Sequence, residues 1–368
     1  MRRALAAIIG ASLLVLACSG PVVTGSPTPA KTVDIKRSKL DIAYSAFVDQ
    51  DVHHVTSKKA LEAALDAVRA QVRAAGGRDD DIATPQFQDT EDPQTADFNK
   101  FAQVTAQLAG RVSLPADKLA DAAISGMIKA SPDCHTYYVD ANGGVHNSSG
   151  LTPRGTTAQV PAQGAPLGGP DQAGLTGKML PGGIAYLTWH EFAMTGNYKI
   201  TDATKAMLDK AVAQGARAWL FDLRGNVGGN GADLMASWFL NGEPTLTVVV
   251  KTGNAGTASG NKDLRLGAQY QLPIAIILND RGGSGPEVFS ASLKENKRAT
   301  VLGAKSIGCL GATSPTHMTD GAEIAVASQE FAGAVTGTKY NNNGIAPDVP
   351  ADDASAVDKA IEVLRTKM

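Results

Sequence analysis

Apolar positions recur with a helical period from about residue 40 to residue 130, and the pattern then changes twice. Leu61, Leu65, Val68 and Val72 fall on one face of a run over 58–75, with Ser57 as the expected N-cap and Gly76-Gly77 as the stop. Phe98, Phe101, Val104 and Leu108 predict a second helix, and Leu119, Ala123 and Met127 a third that starts at Pro115. Residues 142–182 are dominated by Gly, Pro, Ser, Thr and Gln and show almost no periodicity, which predicts a linker or a long surface loop. From residue 183 short apolar runs alternate with helical ones. Strands are expected over 183–187, 218–221, 274–278 and 299–303, with helices over 201–214, where Ala203, Met207, Ala211 and Val212 face the core, and over 287–294. This order predicts an α/β core behind a helical region with a core of its own, over 40–138.

Composition changes that picture little, because 34 basic residues against 36 acidic ones and 43% apolar residues describe an ordinary globular chain. Basic residues are dispersed, so no nucleic-acid partner is expected. The first residues matter more. Arg2 and Arg3 precede an apolar run over 4–17 that is short for a membrane span and laid out as a secretory signal. Val15-Leu16-Ala17-Cys18 resembles a bacterial lipobox, which implies cleavage after residue 17, lipidation of Cys18 and a flexible tether over 18–39 at the cell envelope. Only Cys134 and Cys309 then remain, an even pair in an exported chain. The paired His53 and His54 have no second ligand cluster near them and are read as surface residues, and no metal or cofactor is expected.

Two glycine-rich turns carry the candidate chemistry. Ser284 follows the strand at 274–278 and the turn Asn279-Asp280-Arg281-Gly282-Gly283, just before a helix. A serine there can cap the helix, or it can present a nucleophile beside amides that the helix has not used. The other turn, Asp222-Leu223-Arg224-Gly225-Asn226-Val227-Gly228-Gly229, lets backbone amides approach a reacting oxygen, and no phosphate-loop lysine or dinucleotide fingerprint accompanies it. His135, in the polar segment Asp133-Cys134-His135-Thr136, is a side chain able to take a proton near neutral pH.

Taken in order, Asp222-Leu223-Arg224 with Asn226 and Gly228-Gly229, Ser284 with Glu287, Gly303, and Asn343-Gly344-Ile345-Ala346-Pro347-Asp348 resemble the S41 family of serine peptidases, which includes the carboxy-terminal processing proteases and tricorn-like enzymes. The resemblance implies a crotonase-like ββα core over 183–368 and a peptide or unfolded-protein substrate cut through a Ser284 acyl-enzyme. The processing proteases use a lysine base where this chain has Cys309, and they carry a PDZ domain for which the linker has no room. Both departures resemble the tricorn-like branch and make His135 the expected base, ahead of His190 and His317. An orienting glutamate of that branch falls near Asn341. The resemblance also implies an oxyanion hole from the amide of Gly228 or Gly229 with that of Gly285, and a helix-start role for Glu287. If His135 and the Cys309 turn share the site, a Cys134–Cys309 disulfide follows, with two independent buried cysteines as the alternative. A binding module that has lost catalysis and a serine esterase are the other functions that this pattern allows.

Overall fold

A computed structural model describes residues 39–155 and 158–368. The expected signal over 1–17, the lipidated Cys18 and the tether up to residue 38 lie outside the described residues, while Lys39 opens the first helix. The helical region comprises α1 (Lys39–Gln50), α2 (Ser57–Ala74), α3 (Thr95–Ala109) and α4 (Ala116–Ile128). The cap of α2 is Thr56, whose side chain accepts from the Lys59 amide at 3.3 Å, and not Ser57. Ser57 is instead fully buried, with its hydroxyl against that of Tyr44.

The rest of the chain runs β1 (Tyr137–Val139), β2 (Val145–Asn147), β3 (Ala165–Gly168), β4 (Thr176–Leu180), β5 (Ile184–Thr188), the short pair β6 (Met194–Thr195) and β7 (Tyr198–Lys199), and α5 (Ile200–Ala213). It continues through β8 (Ala218–Asp222), α6 (Ala232–Ser237), β9 (Pro244–Val250), β10 (Gly253–Ser259), β11 (Ile274–Leu278) and α7 (Gly285–Glu295). Last come β12 (Ala299–Gly303), β13 (Gly311–His317), β14 (Glu323–Gly333), β15 (Val349–Pro350) and α8 (Ala356–Arg365).

One sheet has the order β15-β12-β11-β8-β5-β4-β3, parallel from β15 to β5 and antiparallel beyond. Every position of β5, β8 and β11 is buried, as continuous apolar runs require when both faces of a parallel sheet are covered. Leu187, Phe221, Ile276 and Leu278 pack with Leu208, Met235 and Phe289 of α5, α6 and α7 on one face. Tyr186, Leu220 and Ile277 meet Ala360 and Leu364 of α8 on the other.

Two expectations change here. Residues 142–182 are not a featureless linker, because they contain β2 to β4 and bury Leu167, Ala173, Leu175 and Leu180. Strands this short, interrupted by Gly168 and Gly177, leave no period to read. The helical region also lacks a core of its own. Leu61, Val68, Phe101, Ile124 and Met127 share one apolar cluster with Tyr138 of β1 and Ile324 and Val326 of β14, so helices and second sheet (β10-β9-β14-β1-β2, with β13 also on β14) are buried together.

Candidate active site

Parallel pairing decides what meets at one edge of the first sheet. Ile277 lies opposite Asp222, and Leu278 opposite Gly303, so the turns that leave β8, β11 and β12 stand side by side at the carboxyl ends of the strands. The β8 turn is fixed from within. Arg224 grips Asp222 through Nε at 2.9 Å and Nη2 at 2.7 Å, and Asn226 donates to the Trp189 carbonyl at 2.9 Å. The Asn226 carbonyl in turn accepts the Gly283 amide at 3.1 Å, which seats the β11 turn on the β8 turn.

Ser284 emerges at φ 67° and ψ −114°, a left-handed conformation that costs a non-glycine residue about 1–3 kcal/mol. In that conformation its hydroxyl does not cap α7. The Glu287 amide bonds to the Ser284 carbonyl at 2.8 Å, and Ser284 Oγ is buried without a hydrogen-bond partner among the described residues. Glu287 supplies what holds the turn. Its fully buried carboxylate accepts from the amides of Ser284 (2.9 Å), Gly308 (2.7 Å) and Cys309 (2.8 Å) and from Ser306 Oγ (2.5 Å). Burial pushes this carboxyl above its ordinary value, and the donors pull it back without cancelling that rise. Glu287 therefore does more than begin a helix: it ties the serine turn to the loop that carries Cys309.

The glycines around Ser284 are not equivalent. A Cβ on Gly228 would lie 2.6 Å from Ser284 Cβ, which explains the glycine, but the Gly228 amide is already committed to Asn226 Oδ1 at 2.9 Å. The amides of Gly229 and Gly285 have no acceptor among the described residues. Phe192 packs against both, so that a Cβ on Gly285 would meet its ring at 2.8 Å and one on Gly229 its carbonyl at 2.3 Å.

His135 arrives from the other side, on the loop between α4 and β1, and is fully buried with a pKa driven down by that burial to about 3. Its main-chain amide donates to Asp133 Oδ1 at 2.8 Å, and its Nδ1 lies 3.1 Å from the same oxygen. An acceptor there sets the proton on Nδ1 and leaves Nε2 as the basic nitrogen. Asn341 donates to Asp133 Oδ2 at 2.8 Å and accepts from the Leu310 amide at 3.0 Å. Thus Asn341 acts on His135 only through Asp133, and the carboxylate beside the imidazole is Asp133, which sequence reasoning left unassigned although it lies two residues away. Cys134 and Cys309 form a disulfide, with Cys309 Sγ 3.4 Å from His135 Nε2. Cys309 adjoins both sides of this junction, with its Sγ near His135 and its Cβ 3.1 Å from where a Cβ on Gly283 would stand, and Ser284 Oγ makes no hydrogen bond to His135 among the described residues. The rival histidines are elsewhere: His190 is exposed and lies over Gly174, and His317 is exposed and paired with Glu323.

The model of Peptidase family S41 matches residues 183–351. The chain is 28% identical over 156 residues to the carboxyl-terminal-processing protease of Synechocystis, covering 40% of this chain and 33% of that protein. It is 26% identical over 164 residues to the carboxy-terminal processing protease CtpA of Bacillus subtilis, covering 44% and 33% respectively. Residues 183–351 belong to peptidase family S41. The chain thus spans about a third of the length of these curated relatives. A lipoprotein from Streptococcus agalactiae shares the fold, with a TM-score of 0.53 at 14% identity over 83% of this chain and 97% of that one. The α/β class with a crotonase-like core, expected from the motifs, is the fold observed.

The S41 segment contains Ser284, Glu287 and the Gly229 and Gly285 amides, whereas His135 and Asp133 precede it. A strap after β2 crosses the junction between them. Ser149 Oγ donates to the Ser131 carbonyl at 2.9 Å, the Arg154 amide to the Arg281 carbonyl at 2.9 Å, and Gly155 lies against Val227. A cavity of about 410 Å³ beside the strap is lined by Arg154, Asp280, Lys305 and Ile307 among others, while Ser284 itself is 2% exposed. No helix among the described residues is long and apolar enough to cross a membrane.

Proposed function

We propose that this chain is a serine-type peptidase in which Ser284 Oγ attacks a peptide carbonyl and His135 Nε2 takes its proton, with Asp133 orienting the imidazole. The amides of Gly229 and Gly285 would receive the oxyanion; losing one such donor typically slows reaction about a hundredfold to a thousandfold. The observation that carries this reading is the backbone of Ser284. A left-handed serine whose buried hydroxyl has no hydrogen-bond partner among the described residues, beside two amides with no acceptor among them, is a costly arrangement for structure alone and a suitable one for a nucleophile. His135 stays neutral in the resting chain and is a proton acceptor once Ser284 swings towards it; such contacts commonly tighten only when substrate binds. Breakage of the peptide C–N bond sends the proton from His135 to the leaving amine, and water then resolves the acyl-enzyme by the same path in reverse.

The reading includes export and a lipid anchor at Cys18. A disulfide between the two remaining cysteines supports it, since such bonds persist in oxidising compartments. The substrate class is a peptide or unfolded protein, by analogy with the processing proteases. Intact-mass labelling with a fluorophosphonate tests the chemistry: stoichiometric modification of the wild type, absent in Ser284→Ala and in His135→Ala, is the expected result. A second reading, an S41 fold that binds peptide without cutting it, is favoured by the missing Ser284–His135 hydrogen bond. A folded wild type that takes no label would establish that reading. Cleavage of aryl esters but of no peptide in a library would make the chain an esterase.

A further inference from the structure

The carboxylate of Asp133 is shared between two histidines. Oδ1 serves His135, and Oδ2 lies 2.9 Å from His53 Nε2 while also accepting from Asn341. His53 belongs to the turn between α1 and α2, outside the S41 segment, and the peptide chemistry above gives it no part. Sequence reasoning places it on the surface with His54. His54 is exposed, but the His53 side chain is only 13% exposed, and its amide is pinned to the buried Asp51 at 2.8 Å. A histidine held at both ends, with its ring aimed at the acid behind the candidate base, is not a solvated bystander.

We infer that His53 is a positioning residue for His135: it fixes Asp133, and its own charge decides how much of that carboxylate is left to stabilise the imidazolium of His135. The inference rests on the serine-peptidase reading and adds a pH control to it. When His53 is neutral, its Nε2–H holds Asp133 in place and the negative charge remains available as His135 takes the Ser284 proton. When His53 is cationic, that charge is neutralised from the far side and a second cation across the same carboxylate is disfavoured. The charged groups facing His53 are Asp133, Asp51 and Glu330. Burial lowers the affinity of His53 for a proton, yet the bond to Asp133 and the three carboxylates outweigh it and leave the value above that of an ordinary histidine. Complete burial holds His135 down to about 3, so its resting protonation falls well below the same range. A fall in reactivity on mild acidification is therefore the expected consequence of the His53–Asp133 contact.

The test compares fluorophosphonate labelling rates from about pH 5 to about pH 9, a range that spans histidine titration, for wild type, His53→Gln and His53→Ala. Glutamine keeps an amide donor near the Nε2 position and does not titrate. The wild-type rate is expected to fall as pH drops through the raised His53 value, and His53→Gln to lose that limb while keeping the rate at high pH. His53→Ala, which removes a hydrogen bond to a buried charged group, is expected to be slower than wild type by about tenfold to a hundredfold at high pH, where the wild-type His53 is neutral. An unchanged acid limb in His53→Gln, or full activity in His53→Ala, overturns the inference. If the wild type takes no label, the serine reading fails first. The coupling is then judged by the NMR titration of His53, expected above 6.5 and lowered in Asp133→Asn, and an unmoved titration refutes it.

Discussion

The two halves of the candidate site are built in opposite ways. Ser284 is positioned by backbone: a parallel sheet, a turn seated on the neighbouring turn, and one carboxylate that accepts three main-chain amides and a hydroxyl. His135 is positioned by side chains gathered from distant parts of the chain, with Asp133 from its own loop, His53 from the turn after α1, Asn341 from the segment after β14, and a disulfide to Cys309. A backbone-built half tolerates substitution only where it needs glycine or its central acceptor. A half built from side chains can be weakened partner by partner while the Ser284 turn is kept.

The largest effect should come from the single side chain on which the serine half depends. Glu287→Ala strands four buried donors and opens a cavity, and is expected to lower unfolding free energy by about 3–5 kcal/mol. Chemical denaturation measures this directly. A cost below about 1 kcal/mol, as for a single net hydrogen bond, would show that the donors find other acceptors and that the turn does not depend on Glu287.

Cutting the covalent link should harm the histidine half more than the serine half. Cys134 and Cys309 are 175 residues apart, so a chain-entropy ceiling of about 5 kcal/mol applies, and the double serine variant is expected to lose about 2–4 kcal/mol. Labelling should slow too, because Cys134 adjoins His135. An unchanged denaturation midpoint and labelling rate would make the link idle. Faster labelling would mean that the Cys309 sulfur, 3.4 Å from Nε2, obstructs the base, and would reverse the role given to it.

This division also governed what could be read in advance. The Ser284 turn was legible because local signals coincide there: an apolar run, a glycine-rich turn, a serine and Glu287 three residues on. The β8 turn was legible for the same reason, although Gly228 and Gly229 could not be told apart without knowing that Asn226 occupies one of the amides. The histidine half has no local signature. His53 and Asp133 are 80 residues apart and Asn341 is 208 from Asp133, so neither pairing leaves a trace along the chain. The strands over 142–182 escaped for a third reason, since partners rather than periodicity define them: β4 is fixed by its antiparallel register with β5, and β3 by β4. An aspartate two residues before a loop histidine can fold back on it, as Asp133 does through both the amide and the ring.

The smallest effect bears on which acid orients the base. If Asn341 stands in for an orienting glutamate, restoring a carboxylate by Asn341→Asp should raise activity. The geometry argues the opposite. Asn341 Nδ2 donates to Asp133 Oδ2 at 2.8 Å, and an aspartate would replace that donor with an acceptor facing another buried acceptor. The other oxygen could still receive the Leu310 amide, so the backbone contact survives while the contact to Asp133 turns repulsive. Two carboxyls at that distance share a proton rather than both ionise, and the shared proton occupies the charge that His135 needs. The expected outcome is a labelling rate lower by about threefold to thirtyfold near neutral pH, with a midpoint of denaturation little changed, since one repelling contact replaces one bond of about 1 kcal/mol net. Falling activity with intact stability would place the orienting acid at Asp133. A gain in rate would return that role to position 341 and leave Asp133 as a structural turn residue.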